Sequence, residues 1–434
     1  MSRAPHVVIV AFHFPPSRSS AVYRTRAWAN ALARAGCRVS VVTARREWFL
    51  HATGGVDDEL AATVDPRVRV HRVHFGYQRY SPHVESMSWL NANFPFLHDT
   101  MFSEWPQRRF PERHALWYPA AASAAIRIGL RRRPHLILAT GNPYAGYAAA
   151  RKAAQFLRVP YALDFHDTWT LNQFTGEDAY DEDHPAWAWE RKVVDDARLL
   201  VTVNTPLRDW YVGRYPQTAD RFRVVENGWA PDVVHDVRPL YERDPKSPVR
   251  FGYVGTLRRD LPLEEFFDGW RAARTQPGLR DARFDLYGYL EYFTLNEHKV
   301  AERLPLGQHG VAHHGPVSQT RLAATYSGLD ALVNLLPSSP YVSSGKVYDY
   351  LASGRAIVAV HDTRTAASDV RTGYPLWYGM EEVTADAVTE ALVAAADGVR
   401  GATPETTKQA AEIAAHHTWD AHLAPVVEEI AGRV

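Results

Sequence analysis

Residues 343–354 read Ser-Ser-Gly-Lys-Val-Tyr-Asp-Tyr-Leu-Ala-Ser-Gly and lie between apolar runs at 329–336 and 356–360. Small residues that lead into a short helix leave backbone N–H groups without intrahelical acceptors, and the helix dipole adds positive potential there. The amides of Ser343, Ser344 and Gly345, with the ammonium of Lys346, therefore predict a diphosphate site. Asp349, one turn further on, places a carboxylate where ribose hydroxyls would donate to it. The expected ligand is a nucleoside diphosphate.

A loop grips a ligand only when a sheet fixes both its ends. Short β-rich runs alternate with longer helical stretches throughout, the pattern of parallel sheets flanked by helices. Strands are predicted at 6–12, 38–43, 68–73, 135–139, 161–165, 199–203 and 222–225, with helices at 20–35, 120–131 and 146–157 among them. From 229 to 248 prolines and charges without period mark a break. The alternation then resumes with strands 249–254, 283–287 and 311–314 and helices 263–274 and 318–326. A chain of 434 residues is too long for one core, so two α/β domains, each a doubly wound parallel sheet, are expected. Their bounds are 1–235 and 249–415, with a linker at 236–248 and a closing amphipathic helix within 416–434. In such sheets ligands sit at the carboxyl ends of the strands.

Composition narrows the function. Lys plus Arg and Asp plus Glu both number 49, so no global field recruits nucleic acid. The one cysteine, Cys37, cannot close an internal disulfide, which points to a reducing, cytoplasmic setting. Neither a secretory signal pattern nor a long apolar run is found. The 20 histidines are scattered without zinc-helix spacing. No N-terminal strand leads into Gly-x-Gly-x-x-Gly, which makes a nicotinamide oxidoreductase remote.

Five blocks in order carry a family resemblance. They are His13-Phe14-Pro15-Pro16 through Ser19-Ser20, with Arg24 on the next helix; Asp164-Phe165-His166-Asp167-Thr168-Trp169; Val225-Glu226-Asn227-Gly228; Gly252-Tyr253-Val254-Gly255-Thr256; and Gly315-Pro316-Val317 ahead of the diphosphate loop. The chain resembles the family-4-type glycosyltransferases of GT-B fold, and Asp349 takes the position of their ribose-binding glutamate. The resemblance implies two Rossmann-like domains facing a cleft, the first for the acceptor and the second for a nucleotide-diphosphate sugar, with a C-terminal helix crossing back. It also implies retention of anomeric configuration, no cofactor and no metal. Asp181-Glu182-Asp183 comes nearest to a metal-binding Asp-x-Asp.

The departures from the family are specific. Ser19-Ser20 stand where adjacent glycines are usual, and Cβ atoms keep a loop further from its ligand. Eight residues before Asp349 stands Tyr341 in place of a glutamate, which removes a carboxylate from the sugar's surroundings. The usual lysine after Gly255 is missing, leaving Arg258 and Arg259. Arg258 is assigned to the leaving diphosphate, since a guanidinium bridges phosphate oxygens. Thr256, Tyr287, Gly288 and Val317, at strand ends of the second domain, are assigned to the donor. His166 and Asp167, ending a strand of the first domain, are assigned to orienting the acceptor hydroxyl. His13, Ser19, Ser20, Arg24 and Asn142 complete the acceptor side.

The least family-like stretch is 76–118, rich in aromatics from Tyr77 and Tyr80 to Trp117 and Tyr118, with Arg108, Arg109 and Arg113 interleaved. An acceptor lid, a lipid-contacting patch, an oligomer surface and a packed aromatic subcore stay open for it. The acceptor is a small molecule, a lipid-linked molecule or a glycan, and peripheral membrane contact is kept open. Two other activities also remain: different chemistry on the same fold, such as nucleotide-sugar epimerisation or pseudo-glycosyl coupling, and a non-catalytic subunit that binds a nucleotide sugar.

Overall fold

The computed structural model describes residues 4–52, 55–74, 89–291, 297–366, 370 and 372–432. Thirteen strands form among them: β1 His6–Val10, β2 Arg38–Ala44, β3 Arg69–Val73, β4 Leu136–Gly141, β5 Tyr161–Phe165, β6 Leu199–Thr202, β7 Phe222–Val224, β8 Arg250–Val254, β9 Arg283–Tyr287, β10 Val311–His313, β11 Ala331–Leu335, β12 Ala356–Val360 and β13 Trp377–Tyr378. They make two sheets, β3-β2-β1-β4-β5-β6-β7 and β10-β9-β8-β11-β12-β13. Every neighbouring pair is parallel, from β1 with β2 and β4 to β12 with β13. Central strands such as β1 (His-Val-Val-Ile-Val) and β12 (Ala-Ile-Val-Ala-Val) are buried at every residue, as strands covered by helices on both faces must be. In each sheet the order reverses beside the first strand, which creates a crevice at the carboxyl ends of β1 and β4 and another at those of β8 and β11.

The chain divides into two compact units, Met1–Glu226 with Leu423–Val434 and Asn227–His422. The division thus falls upstream of the expected linker at 236–248. That stretch is not free-running chain: Leu240, like Val233 and Val234 before it, is buried in the core of the second unit. The guanidinium of the fully buried Arg355 donates to the carbonyls of Arg238 and Tyr326 and fixes the segment there. Prolines and charges without period therefore mark irregular backbone here, packed through its few apolar residues. Gly228 sits where the backbone of residues 417–419 passes, and a Cβ would lie 2.6 Å from the nitrogen of Trp419. The final helix, Trp419–Gly432, begins in the second unit, and its residues from Leu423 belong to the first, where Glu429 pairs with Arg223 at 3.1 Å. The crossing point is later than the expected 416. No helix among the described residues is long and apolar enough to cross a membrane.

The first unit also buries a carboxyl. Glu190, wholly buried, accepts from Thr170 Oγ1 at 2.7 Å and Tyr215 Oη at 2.9 Å. Burial raises its pKa to about 7 from an ordinary 4.5, against the pull of these donors. Below the ordinary value both folded and unfolded chains hold the proton. As pH rises toward 7 the unfolded chain ionises first, so stability falls by about 2–4 kcal/mol through that window. Urea unfolding at pH 5 and pH 8 should show this loss in the wild type and a smaller one in Glu190→Gln. Equal losses in both proteins would refute the assignment.

Candidate functional site

In the second unit β8 ends at Val254, and Gly255 turns the chain with φ +142°. Beside it β9 ends at Tyr287, and Gly288 turns with φ +147°. A Cβ on Gly288 would fall 1.9 Å from the carbonyl oxygen of Gly255, so the two turns approach as only glycine allows. The loop expected to bind diphosphate follows β11, and the helix Lys346–Ala352 begins at its end. Its side chains meet these turns. The Lys346 ammonium donates to Tyr253 Oη, lies 4.1 Å from the centre of that ring and would be 3.0 Å from a Cβ on Gly255. Burial and then the charge of Arg258 push the Lys346 pKa down to about 7. A cation held this way, with the Tyr253 hydroxyl and no carboxylate beside it among the described residues, is stabilised by an arriving anion.

The loop before it is braced from below. Ser344 is buried, its hydroxyl 3.4 Å from Asn334 Oδ1, and Ser343 Oγ accepts from Asn227 Nδ2 at 3.4 Å. Asn334 is fully buried and its Nδ2 has no partner. Gly345 is exposed, Tyr341 and Asp349 are half-buried, and Asp349 lies in the first turn of the helix. Thr256 offers its carbonyl to Tyr253 Oη at 3.0 Å, so the same phenol links Lys346 to the β8 turn. Arg258 does not reach into open space: its Nε donates to Asp260 Oδ1 at 2.8 Å and its Nη2 to the other oxygen. Asp260 was not singled out from sequence, although it stands two residues from the arginine. Arg259 is exposed and lines a cavity of about 550 Å³ with Asp260, Glu264, Asp362 and Arg364, a charged lining that does not include Lys346. Tyr287 stacks on His314 with ring centres 4.7 Å apart, and His314 bonds Asp285 at 2.7 Å. Gly288 N donates to the carbonyl of Gly315 at 2.9 Å, and Val317 packs against the core.

In the first unit the expected acceptor residues separate into two groups. His13 follows β1, lies 3.1 Å from Ser17 Oγ through Nδ1 and stacks on Phe49 at 6.0 Å. Burial, with His114 and His166 nearby, lowers its pKa to about 3, so its imidazole is neutral. His166, after β5, has both ring nitrogens buried without a hydrogen-bond partner, and its Nε2 is 3.5 Å from a carboxylate oxygen of Asp167. Asp167 is half-buried and Asn142 exposed, both at strand carboxyl ends. Ser19 is half-buried and Ser20 exposed, and Ser20 caps the next helix without a side-chain hydrogen bond.

Arg24 is a correction. It is 2% exposed, and its guanidinium forms a two-point pair with Asp164, with Nη2 to Oδ1 at 2.6 Å and Nε to Oδ2 at 2.8 Å. Nη1 donates to the Val225 carbonyl at 2.8 Å. Every edge of the fork is engaged inside the domain, so Arg24 holds β5 and the end of β7 and does not meet an acceptor.

Two further residues of the first unit, His114 and Glu112, stand out in the structure and not in the sequence. The His114 ring lies 4.9 Å from Phe12 and 5.5 Å from Trp48. Glu112 accepts the N–H of Ala145, at the start of the helix after β4, at 2.6 Å and stands 3.7 Å from His114 Nδ1. A Glu-x-His pair flanked by aromatics was the available signal.

Residues 20–228 match a family model described as glycosyl transferase 4-like domain. No curated protein matches the chain. Among solved structures, sucrose-phosphate synthase from Thermosynechococcus elongatus is similar at 16% identity and TM-score 0.67, over 99% of this chain and 100% of that one. HepE from Anabaena, in complex with UDP and glucose, is similar at 12% identity and TM-score 0.59, over 97% and 99%. A UDP-N-acetylglucosamine 2-epimerase is similar at 13% identity and TM-score 0.54, over 99% and 97%. At these identities the likeness is one of fold, and the fold is the two-domain GT-B architecture.

Proposed function

Because residues 20–228 match the glycosyl transferase 4-like domain, we propose that the protein is a glycosyltransferase that moves a sugar from a nucleoside-diphosphate sugar to an acceptor hydroxyl, with retention at the anomeric carbon and without a metal. The observation that carries the donor is the Lys346 ammonium, held by Tyr253 above the Gly255 turn beside Arg258. As the sugar–phosphate bond breaks, negative charge grows on the leaving phosphate. A cation already fixed there stabilises the transition state more than the ground state. Lys346 supplies that charge. Arg258 joins it by exchanging Asp260 for phosphate oxygens, the same two-point geometry with a new partner.

The loop amides of Ser343, Ser344 and Gly345 complete the diphosphate cradle, and Tyr341 meets the sugar. Asp349 accepts from the ribose. Tyr287, Gly288 and Val317 face the base, with Thr256 and Arg259 beside the diphosphate. HepE holds UDP in the same fold, which makes uridine the first base to test. On the acceptor side His13 and His166, with Asp167, orient the hydroxyl, and its proton passes to the departing phosphate. Ser19, Ser20 and Asn142 line that side. The one cysteine, Cys37, is a buried free thiol, which suits a cytoplasmic setting.

Tyr341 at the position of the missing carboxylate favours one second reading, an epimerase acting on the donor sugar itself. Incubation with uridine, guanosine, thymidine and adenosine diphosphate sugars separates the two. Transfer needs an acceptor and releases the nucleotide diphosphate in step with product, whereas epimerisation changes the sugar with the nucleotide still attached. Calorimetry with the four nucleoside diphosphates should find one that binds, and Asp349→Ala should weaken it roughly 10- to 100-fold. Heat from none of the four would end the reading, and unchanged affinity in Asp349→Ala would remove that residue from the ribose.

A further inference from the structure

Exposed nonpolar side chains are the clearest unused feature of the first unit. Short helices Trp89–Asn93, Pro95–Asp99 and Trp105–Arg109 run in succession, the last two joined by a π-turn over Thr100–Glu104. Trp89 is 71% exposed, Phe96 81% and Trp105 61%, with Phe94, Leu97 and Met101 each about half exposed. All six lie between residues 89 and 105 along these consecutive short helices, and together they make one exposed nonpolar stripe of the chain. The stripe faces outward, the reverse of what a surface helix in a soluble domain does. Exposed nonpolar side chains clustered in this way mark an interaction face.

We propose that this stripe lies in the interfacial layer of an anionic bilayer and that the acceptor carries a lipid tail. Three observations choose the membrane as occupant. The side chains are two tryptophans, two phenylalanines, a leucine and a methionine, the set that settles at the boundary between headgroups and acyl chains. Exposed Arg108 and Arg109 follow the stripe directly, and among the described residues neither forms an ion pair, which complements anionic headgroups. The stripe also runs straight into the acceptor side. Phe110 is buried against Trp169, the Arg109 carbonyl accepts from Trp189 Nε1 at 3.2 Å, and Glu112 holds the start of the helix after β4. A bilayer under the stripe would present a headgroup hydroxyl beside these loops while its acyl chains stay in the membrane.

The acceptor class rests on the transfer reading, whereas the docking surface does not. Partition of the full chain is measured on phosphatidylcholine vesicles with and without phosphatidylglycerol, alongside binding of the nucleoside diphosphate identified above. The wild type should partition at least about 10-fold more strongly onto the anionic vesicles. Phe96→Glu with Trp105→Glu should lose at least about 10-fold on both compositions. Arg108→Gln with Arg109→Gln should lose only the preference for anionic lipid. All three proteins should bind the nucleotide alike, which shows that the variants are folded. Absence of wild-type partition, or equal partition of the aromatic variant, overturns the proposal. So does a concentration-dependent dimer that the aromatic variant abolishes, because a second copy would then cover the stripe. Loss of nucleotide binding by the wild type, with vesicle binding intact, would sink the transfer reading and leave the surface standing.

Discussion

Lys346→Ala will lower turnover by roughly one to three orders of magnitude while leaving the fold intact. The side chain to be removed stands at the start of a short helix, and its stem is not part of the core. What is lost is a positive charge at a fixed point, over the Tyr253 ring and beside the Gly255 turn. A second readout follows from protonation. In the free protein burial and Arg258 hold Lys346 near pKa 7, so near pH 8 most of the amine is neutral. A diphosphate restores the cation, so binding near pH 8 takes up a proton and binding near pH 6 does not. Affinity therefore falls as pH rises above 7. Calorimetry in two buffers of different ionisation enthalpy reads the uptake directly, and Lys346→Ala should abolish it. Full activity in the variant, or no buffer dependence in the wild type, would take Lys346 out of the site.

The parallel sheets were legible because their central strands are short apolar runs of β-branched residues, buried along their whole length in both units. The loop expected to hold a diphosphate was read from small residues and a lysine ahead of a short helix, and that helix begins at Lys346. Gly255 and Gly288 stand where strands turn with positive φ, and a Cβ on Gly288 would strike the Gly255 carbonyl. Long-range pairing is where a single sequence falls short. Asp260 was two residues from Arg258, yet which carboxylate a guanidinium chooses depends on loop shape. The separation of 140 residues between Arg24 and Asp164 hid their pair altogether. One signal was present: Asp164 interrupts the apolar strand Tyr161–Phe165, and a charge inside a buried strand must find a partner. Arg24 and Trp28, four apart on one helix face, were the candidates to supply it. The domain division was placed too late for a related reason. Irregular backbone reads as linker whether or not its few apolar residues are buried.

Arg24→Met will destabilise the first unit by about 3–5 kcal/mol. Asp164 is fully buried and accepts from two guanidinium nitrogens and from Trp28 Nε1 at 3.0 Å. With arginine gone, its carboxylate keeps one neutral donor in a place water does not reach. The penalty is the uncompensated charge rather than the worth of the pair, because two buried ions also forgo their hydration when paired. Arg24→Met with Asp164→Leu should therefore recover part of the loss, since no buried ion remains. Urea unfolding of the wild type, the single variant and the double variant measures both steps. Nucleotide binding, proposed for the second unit, should persist in the single variant below its unfolding transition. An acceptor contact at Arg24 predicts the reverse pattern: stability unchanged and the acceptor KM raised.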